Sequence, residues 1–362
     1  MPDSRSILPS PLKGRGATNA GLSKRFDDKA RESDGDWLDA REAVDGELPP
    51  LRTEVTIEHP RTIISRNKSP DIAFDQSINA YRGCEHGCIY CFARPSHTFH
   101  NLSPGLDFET KLFAKPDAAE LLKKELARPG YRCLTMAMGT NTDPYQPIEE
   151  RYQITRRVIE VLAAHDHPLV ITTKSARVTR DIDLLAPMAA KGLAAIVMSV
   201  TTLDPLTARR MEPRASAPLQ RIAAIAALAK AGVRTAISIS PIVPAINDHE
   251  IEAIVAAGAE AGARAAFSIA VRLPHEVAPL FREWLAVHYP DRAAKVMALI
   301  RDMRGGRDND PDFYNRFRPQ GAYVQALASR FRLACRKHRL NEDRFVLRTD
   351  LFKVPSDQLS LF

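Results

Sequence analysis

From Thr53 onward two patterns alternate along the chain. Short runs of β-branched and other apolar residues, such as LVITT at 169–173 and AIVMSV at 195–200, are followed by longer Ala-, Leu- and Arg-rich segments whose apolar residues return every three or four positions. The first pattern suits strands buried on both faces, the second amphipathic helices. Strands are predicted over residues 72–80, 133–138, 169–173, 195–200, 234–240 and 265–271. Helices are predicted over 118–127, 151–164, 181–190, near 205, over 217–231, and up to about 261 and 287. Six consecutive βα units predict an α/β protein, either an incomplete (β/α)6 barrel or an open doubly wound sheet; periodicity alone does not separate the two.

Barrel enzymes work from the C-terminal ends of their strands. The unusual polar residues fall there: three cysteines after the first strand, Thr140, Asn141, Thr142 and Asp143 after the second, Lys174 and Ser175 after the third, Ser199 and Thr201 in and after the fourth. Taken singly, each is also what a helix cap, a turn or a surface loop would use, and Asp143 before Pro144 is a good turn former.

The flanks differ from this core. Residues 1–50 are poor in aliphatics and hold five Pro, five Gly, eight Lys/Arg and ten Asp/Glu, so a disordered tail is expected over 1–52. After the core, 53–290, comes an α-rich extension, 291–362, with fifteen Lys/Arg against nine Asp/Glu, which carries nearly all of the chain's formal charge of +7. Between 313 and 341 there is no acid, and Arg316, Arg318, Arg330, Arg332, Arg336, Lys337 and Arg339 are interleaved with Tyr314, Phe317, Tyr323 and Phe331. Such a segment suits a polyanion such as nucleic acid; it equally suits a solvated amphipathic helix, since 322–333 has apolar residues at helical spacing.

No stretch approaches the roughly 18 apolar residues of a membrane span, and the N-terminus has no apolar core of signal-peptide length, so a soluble, cytoplasmic protein is expected. Five cysteines in 362 residues exclude a disulfide scaffold and point to reduced thiols. Three of them, Cys84, Cys88 and Cys91, lie in a C-x3-C-x2-C spacing beside Gly83 and Gly87. Thiolates this close suit zinc, with His86, His97 or His100 completing the set, or an iron–sulfur cluster that three cysteines leave open at one iron. The zinc reading makes the chain a zinc-stabilised nucleic-acid-binding protein without radical chemistry; the cluster reading makes it an enzyme.

The cysteine spacing, with Tyr90 before the last cysteine and six βα units around it, resembles the radical S-adenosylmethionine superfamily over about residues 70–290. GTNTDPYQPIE, ITTKS and SPIVPAINDHE are similar to its spore photoproduct lyase-related, DNA repair lyase-like group. The resemblance implies a partial (β/α)6 barrel in which Cys84, Cys88 and Cys91 hold a 4Fe-4S cluster whose open iron binds S-adenosyl-L-methionine. It also implies reductive cleavage of that cofactor to a 5'-deoxyadenosyl radical that takes hydrogen from substrate, and a reductant such as flavodoxin or ferredoxin. Thr140, Asn141 and Thr142 would then meet the methionine amino group, Lys174 the carboxylate, Ser199 the ribose and Tyr90 the adenine. The fifth strand ends in SISPIVPAIND where a glycine-rich adenine contact is common in the superfamily. Spore photoproduct lyase carries a hydrogen-donating cysteine where this chain has Thr140, and a hydroxyl O–H bond is too strong to replace it. Cys133 and Cys335 are left as candidate donors or as ordinary buried thiols.

Overall fold

In a computed structural model of the chain, residues 14–18, 52–343 and 346–355 are described; the rest of the tail expected over 1–52 lies outside them. Two sheets form. The smaller, ordered β1-β5-β4, joins β1 (Glu54–Ile57), β5 (Lys111–Ala114) and β4 (Tyr81–Arg82). The larger contains β2 (Ile64–Arg66), β3 (Gln76–Ile78), β6 (Met136–Met138), β7 (Leu169–Thr173), β8 (Ala194–Ser199), β9 (Arg234–Ile242) and β10 (Ala265–Ala270), ordered β10-β9-β8-β7-β6-β3-β2. From β3 to β10 every neighbour is parallel, and β2 adds an antiparallel edge. β2 and β10 are the two ends of the sheet, which does not close. The expected partial (β/α)6 barrel is the fold observed.

Strand alternation separates the sheet's faces. Met136, Met138, Leu169, Ile171, Ala194, Ile196, Met198, Ile237 and Ile239 are buried in one hydrophobic core under the helices. The alternate positions Ser77, Ala137, Thr172, Ala195, Ser199, Ala236 and Ser238 are small or polar, with Val170 and Val197 among them, and the register places them side by side on the concave face. Small inner residues leave room for ligands, whereas closed barrels of this kind fill the bore with bulky aliphatics.

The helices are α1 (Ala118–Leu126), α2 (Ile154–Ala164), α3 (Ile182–Ala190), α4 (Pro205–Met211), α5 (Pro218–Lys230), α6 (Ile251–Glu260), α7 (Val277–His288), α8 (Pro290–Asp302) and α9 (Ala322–Lys337). The helix expected over 151–164 is broken: a turn at Glu149–Tyr152 ends at Gln153 with φ 48°, and α2 begins after it. The cause is Glu149, whose buried carboxylate accepts the Thr155 amide (3.0 Å) and the Arg156 amide (3.3 Å) at the start of α2. Helix α9 lies on the outer layer against α6, with Tyr323 donating to Asp248 and Arg330 making a bidentate pair with Glu252. Just past it, the side chain of Asn341 pairs with both backbone groups of Ala266, covering part of the β10 edge. Among the described residues no helix is long and apolar enough to cross a membrane.

Candidate radical-cofactor site at the barrel mouth

Strand β4 runs directly into Gly83 and Cys84, so the small sheet carries the cysteine loop to the C-terminal ends of the parallel strands. The Cys84 amide donates to Phe108 O (2.9 Å) and the Ile89 amide to Met211 O (3.1 Å), fixing the loop at both flanks. Cys84 and Cys88 are buried and Cys91 half-buried. Burial pushes the Cys88 thiol up to about 12 and raises Cys84 and Cys91 as well; each of Cys84 and Cys88 also feels the charges of other loop cysteines. Three thiols whose ionisation burial opposes, on one loop beside cations, are a donor set suited to a positively charged iron centre that would draw them into the thiolate form.

The histidines offered for zinc point elsewhere. His86 turns to Asp143 (Nδ1 to Oδ2 3.4 Å), His97 Nε2 lies 2.8 Å from Lys111 O, and His100 packs on the Phe113 ring. Among the described residues no three His, Cys, Asp or Glu side chains form a group that could hold a metal ion.

Behind the loop, Arg94 is fully buried and donates to the carbonyls of Cys88 (2.9 Å), Gly87 (3.1 Å), Pro104 (3.0 Å) and Gly105 (2.9 Å). Its charge is met by Glu109. The same carboxylate accepts the backbone amides of Gly16 (2.9 Å) and Ala17 (2.8 Å), while Arg15 donates to the Glu109 carbonyl (2.8 Å). Residues 15–18 are therefore buried against the cysteine loop, although their composition matched the disordered tail. The fit requires glycine: a Cβ on Gly16 would stand 1.7 Å from Gly87 O, and Gly87 itself has φ +65° with Glu109 behind it.

The turn after β6 is pinned by Asn79, which follows β3. Asn79 Nδ2 donates to Thr140 Oγ1 (3.2 Å) and Asn79 Oδ1 accepts the Asn141 amide (3.1 Å). Thr142 is buried and gives its hydroxyl to Tyr81 O (3.2 Å), so it braces the turn. Asp143 ties this turn to the next: it accepts Thr173 Oγ1 (2.7 Å) and the Lys174 amide (2.7 Å). Burial would raise its pKa, but His86, the Lys174 amide and Thr173 outweigh that and bring it down to about 2.

Lys174 places its ammonium 5.8 Å from the centroid of Tyr90. The Tyr90 hydroxyl donates to Glu212, a fully buried acid just past α4. Thr201 Oγ1 also donates to Glu212 (2.5 Å), and Arg221 of α5 pairs with it at 2.5 Å while donating to Ser199 O (3.0 Å). Burial opposes ionisation of Glu212, yet Arg221 and Lys174 overcome it and lower its pKa to about 2. Tyr90, Lys174 and Ser199 thus belong to one charged network joined through Glu212 and Arg221. Sequence reasoning missed Glu212, Arg221, Arg94 and Glu109. The available signal for Glu212 was a lone acid in RRMEPR.

Residues 313–341 split into two environments. Arg330 is committed to Glu252 on the outer layer, whereas Arg316 makes a bidentate pair with Asp71 (2.5 and 2.7 Å) in the β2–β3 loop. Phe317 underlies Arg272, just past β10, so residues 313–317 reach from one edge of the open sheet to the other. Cys133 precedes β6, on the side opposite the mouth, and Cys335 is buried on α9, so neither stands at the cysteine loop.

Comparison with known proteins agrees with this arrangement. The family model described as the Radical SAM superfamily matches residues 78–257. Uncharacterized proteins of Mycobacterium tuberculosis and Mycobacterium bovis are 34% identical over 240 residues, covering 65% of this chain and 71% of theirs. One from Methanocaldococcus jannaschii is 27% identical over 173 residues, covering 48% of this chain and 62% of its own. Among solved structures, spore photoproduct lyase complexed with dinucleoside spore photoproduct shares the fold, with a TM-score of 0.56 at 17% identity over 78% of this chain and 79% of that one.

Proposed function

Since this chain belongs to the radical S-adenosylmethionine superfamily and is a radical SAM enzyme, we propose that Cys84, Cys88 and Cys91 hold its 4Fe-4S cluster and that Tyr90, Thr140, Asn141, Lys174 and Ser199 bind S-adenosyl-L-methionine beside it. The observation that carries this reading is the placement of three cysteines on one loop beside the Lys174–Tyr90–Glu212 network at the mouth of the open barrel. Held by Cys84, Cys88 and Cys91 and reduced by an external donor such as flavodoxin or ferredoxin, the cluster would supply the electron for reductive cleavage of S-adenosyl-L-methionine to methionine and a 5'-deoxyadenosyl radical that would abstract hydrogen from substrate.

The chain's own residues supply the rest. Lys174 offers the cofactor carboxylate a cation already held over Tyr90, and Asp143 fixes the Lys174 backbone. Glu212 holds the Tyr90 hydroxyl, and Arg221 fixes the end of β8 through the Ser199 carbonyl. The buried loop and its hydrophobic surroundings exclude water and stray hydrogen donors from a radical. Thr142, whose hydroxyl braces the turn, supports this site through the backbone.

The substrate we propose is nucleic acid, met by basic and aromatic residues of 313–341. This is supported by their interleaving and by fold similarity to a lyase solved with a dinucleoside photoproduct. Thr140 at the donor position argues for an outcome other than photolesion repair by the same thiol step. Anaerobic reconstitution tests the cofactor reading: a 4Fe-4S spectrum and 5'-deoxyadenosine formation are expected, both lost in Cys88→Ala. A colourless protein with one stoichiometric zinc would refute it.

A further inference from the structure

We propose that Arg272, at the end of the last strand of the open barrel, receives a phosphodiester of a nucleic-acid strand lying along the concave face; this rests on the nucleic-acid reading above. Arg272 is half-buried, and its guanidinium carbon lies 4.3 Å over the Phe317 ring. Its Nε is buried with no hydrogen-bond partner, and no carboxylate among the described residues lies within 4 Å of its guanidinium. The neighbouring arginines are already engaged. Arg316 is bidentate to Asp71, Arg304 donates to the carbonyls of Val271 (2.6 Å) and Arg316 (3.2 Å), and Arg282 and Arg301 both face Asp308. The carboxylate that acts on Arg272 is Asp71, already paired bidentately with Arg316, while Arg304 has Asp310 beside it and keeps its own Nε unpartnered. A cation held this way, between like charges and without a carboxylate of its own, is arranged for an anion from outside.

The surroundings select which anion. Phe313 and Tyr314 beside this cluster are exposed, and Arg316 packs on Phe313 at 4.6 Å. On β10 itself Phe267 is 50% exposed and Ile269 40% exposed. Phe267 is in register with Ser238, so it faces the concave side, where the other positions are small. From Phe267 to Arg272 is about 16 Å along an extended strand. A guanidinium for phosphate, with aromatic faces on either side of it, matches a single strand whose bases stack while its backbone is held electrostatically. An acidic peptide would use the guanidinium but not the aromatic faces.

The test is binding of a labelled single-stranded oligonucleotide to the full chain, by fluorescence anisotropy across a series of salt concentrations. Loss of one phosphate contact in Arg272→Gln should lower affinity about tenfold at low salt and make the log–log salt slope shallower by about 0.7. Lys230→Gln, at the far end of α5, should change neither. Phe267→Ala should weaken binding with the slope intact, which keeps the proposal testable should Arg272→Gln fail to fold. Salt-dependent binding unaffected by Arg272→Gln and Phe267→Ala overturns the Arg272 subsite and leaves the nucleic-acid reading standing. A wild-type chain that binds no oligonucleotide, or binds an acidic peptide instead, overturns both.

Discussion

Arg94 and Glu109 approach to 2.5 Å with both side chains completely buried, and between them they hold three pieces of chain together. Arg94 binds carbonyls of the cysteine loop, and Glu109 binds amides of residues 16 and 17. A buried pair of this kind contributes mainly through the penalty for breaking it. Glu109→Gln should therefore destabilise the apoprotein by about 3–5 kcal/mol in urea unfolding, since it strands the Arg94 charge. The double variant Arg94→Met with Glu109→Gln should be less destabilised than the two single losses sum to. Strict additivity would show that the pair is not coupled.

Gly16 gives a separate prediction. Because its Cβ position is 1.7 Å from Gly87 O, Gly16→Val cannot keep residues 15–18 where they lie. Trypsin should then cut after Arg15 many times faster than in the parent. Iron in the reconstituted protein should also pass to an external chelator sooner, with the melting temperature of the barrel little changed. Equal cleavage rates would show that the segment does not depend on this contact.

Lys174 and Glu212 should separate by readout. Lys174→Met leaves the cysteine loop's hydrogen bonds untouched, so iron content should match the parent while affinity for S-adenosylmethionine falls about 10- to 100-fold, or about 1.4–2.8 kcal/mol. Glu212→Gln strands the buried Arg221 and should lower thermal stability as well as cofactor affinity. Identical stability in both variants would mean that the Arg221 pair is not structural.

The reach of sequence reasoning follows from what each element depends on. Strand β7 was legible to the residue, because LVITT is a local pattern between turn residues, and β8, β9 and β10 lay within two residues of expectation. The cysteines were legible because their spacing is local. The small sheet was not: β1 and β5 are more than fifty residues apart and pair through backbone groups that leave no periodic trace. Residues 15–18 escaped for a related reason. Composition measures how much apolar surface a segment can bury, whereas this segment is held by backbone amides on a carboxylate ninety residues away. Residues 313–341 read as one basic surface because charge pattern is local. Asp71 and Glu252, which divide it, come from distant loops and helices.

The pH dependence of folding should show a buried histidine on the side of the sheet opposite the mouth. His167 lies between the Tyr131 hydroxyl (2.8 Å) and the Pro168 carbonyl (3.0 Å), with Phe352 packed on its ring. Burial lowers its pKa from 6.5 to about 4. The unfolded chain therefore takes up a proton at this residue before the native state does. Its contribution to stability is fully present above pH 6.5 and is lost as pH falls from there through about 4, a change of roughly 3 kcal/mol over the window. Asp143 and Glu212, held near 2, lose their stabilising contribution as pH falls from their ordinary values of 3.8 and 4.5 through about 2, so the histidine loss starts first. Unfolding free energies measured between pH 7 and pH 4 should decline, and His167→Gln should remove one proton's share of the slope, about 1.4 kcal/mol per pH unit at its steepest. A slope unchanged by that substitution would mean that His167 titrates alike in the folded and unfolded chain.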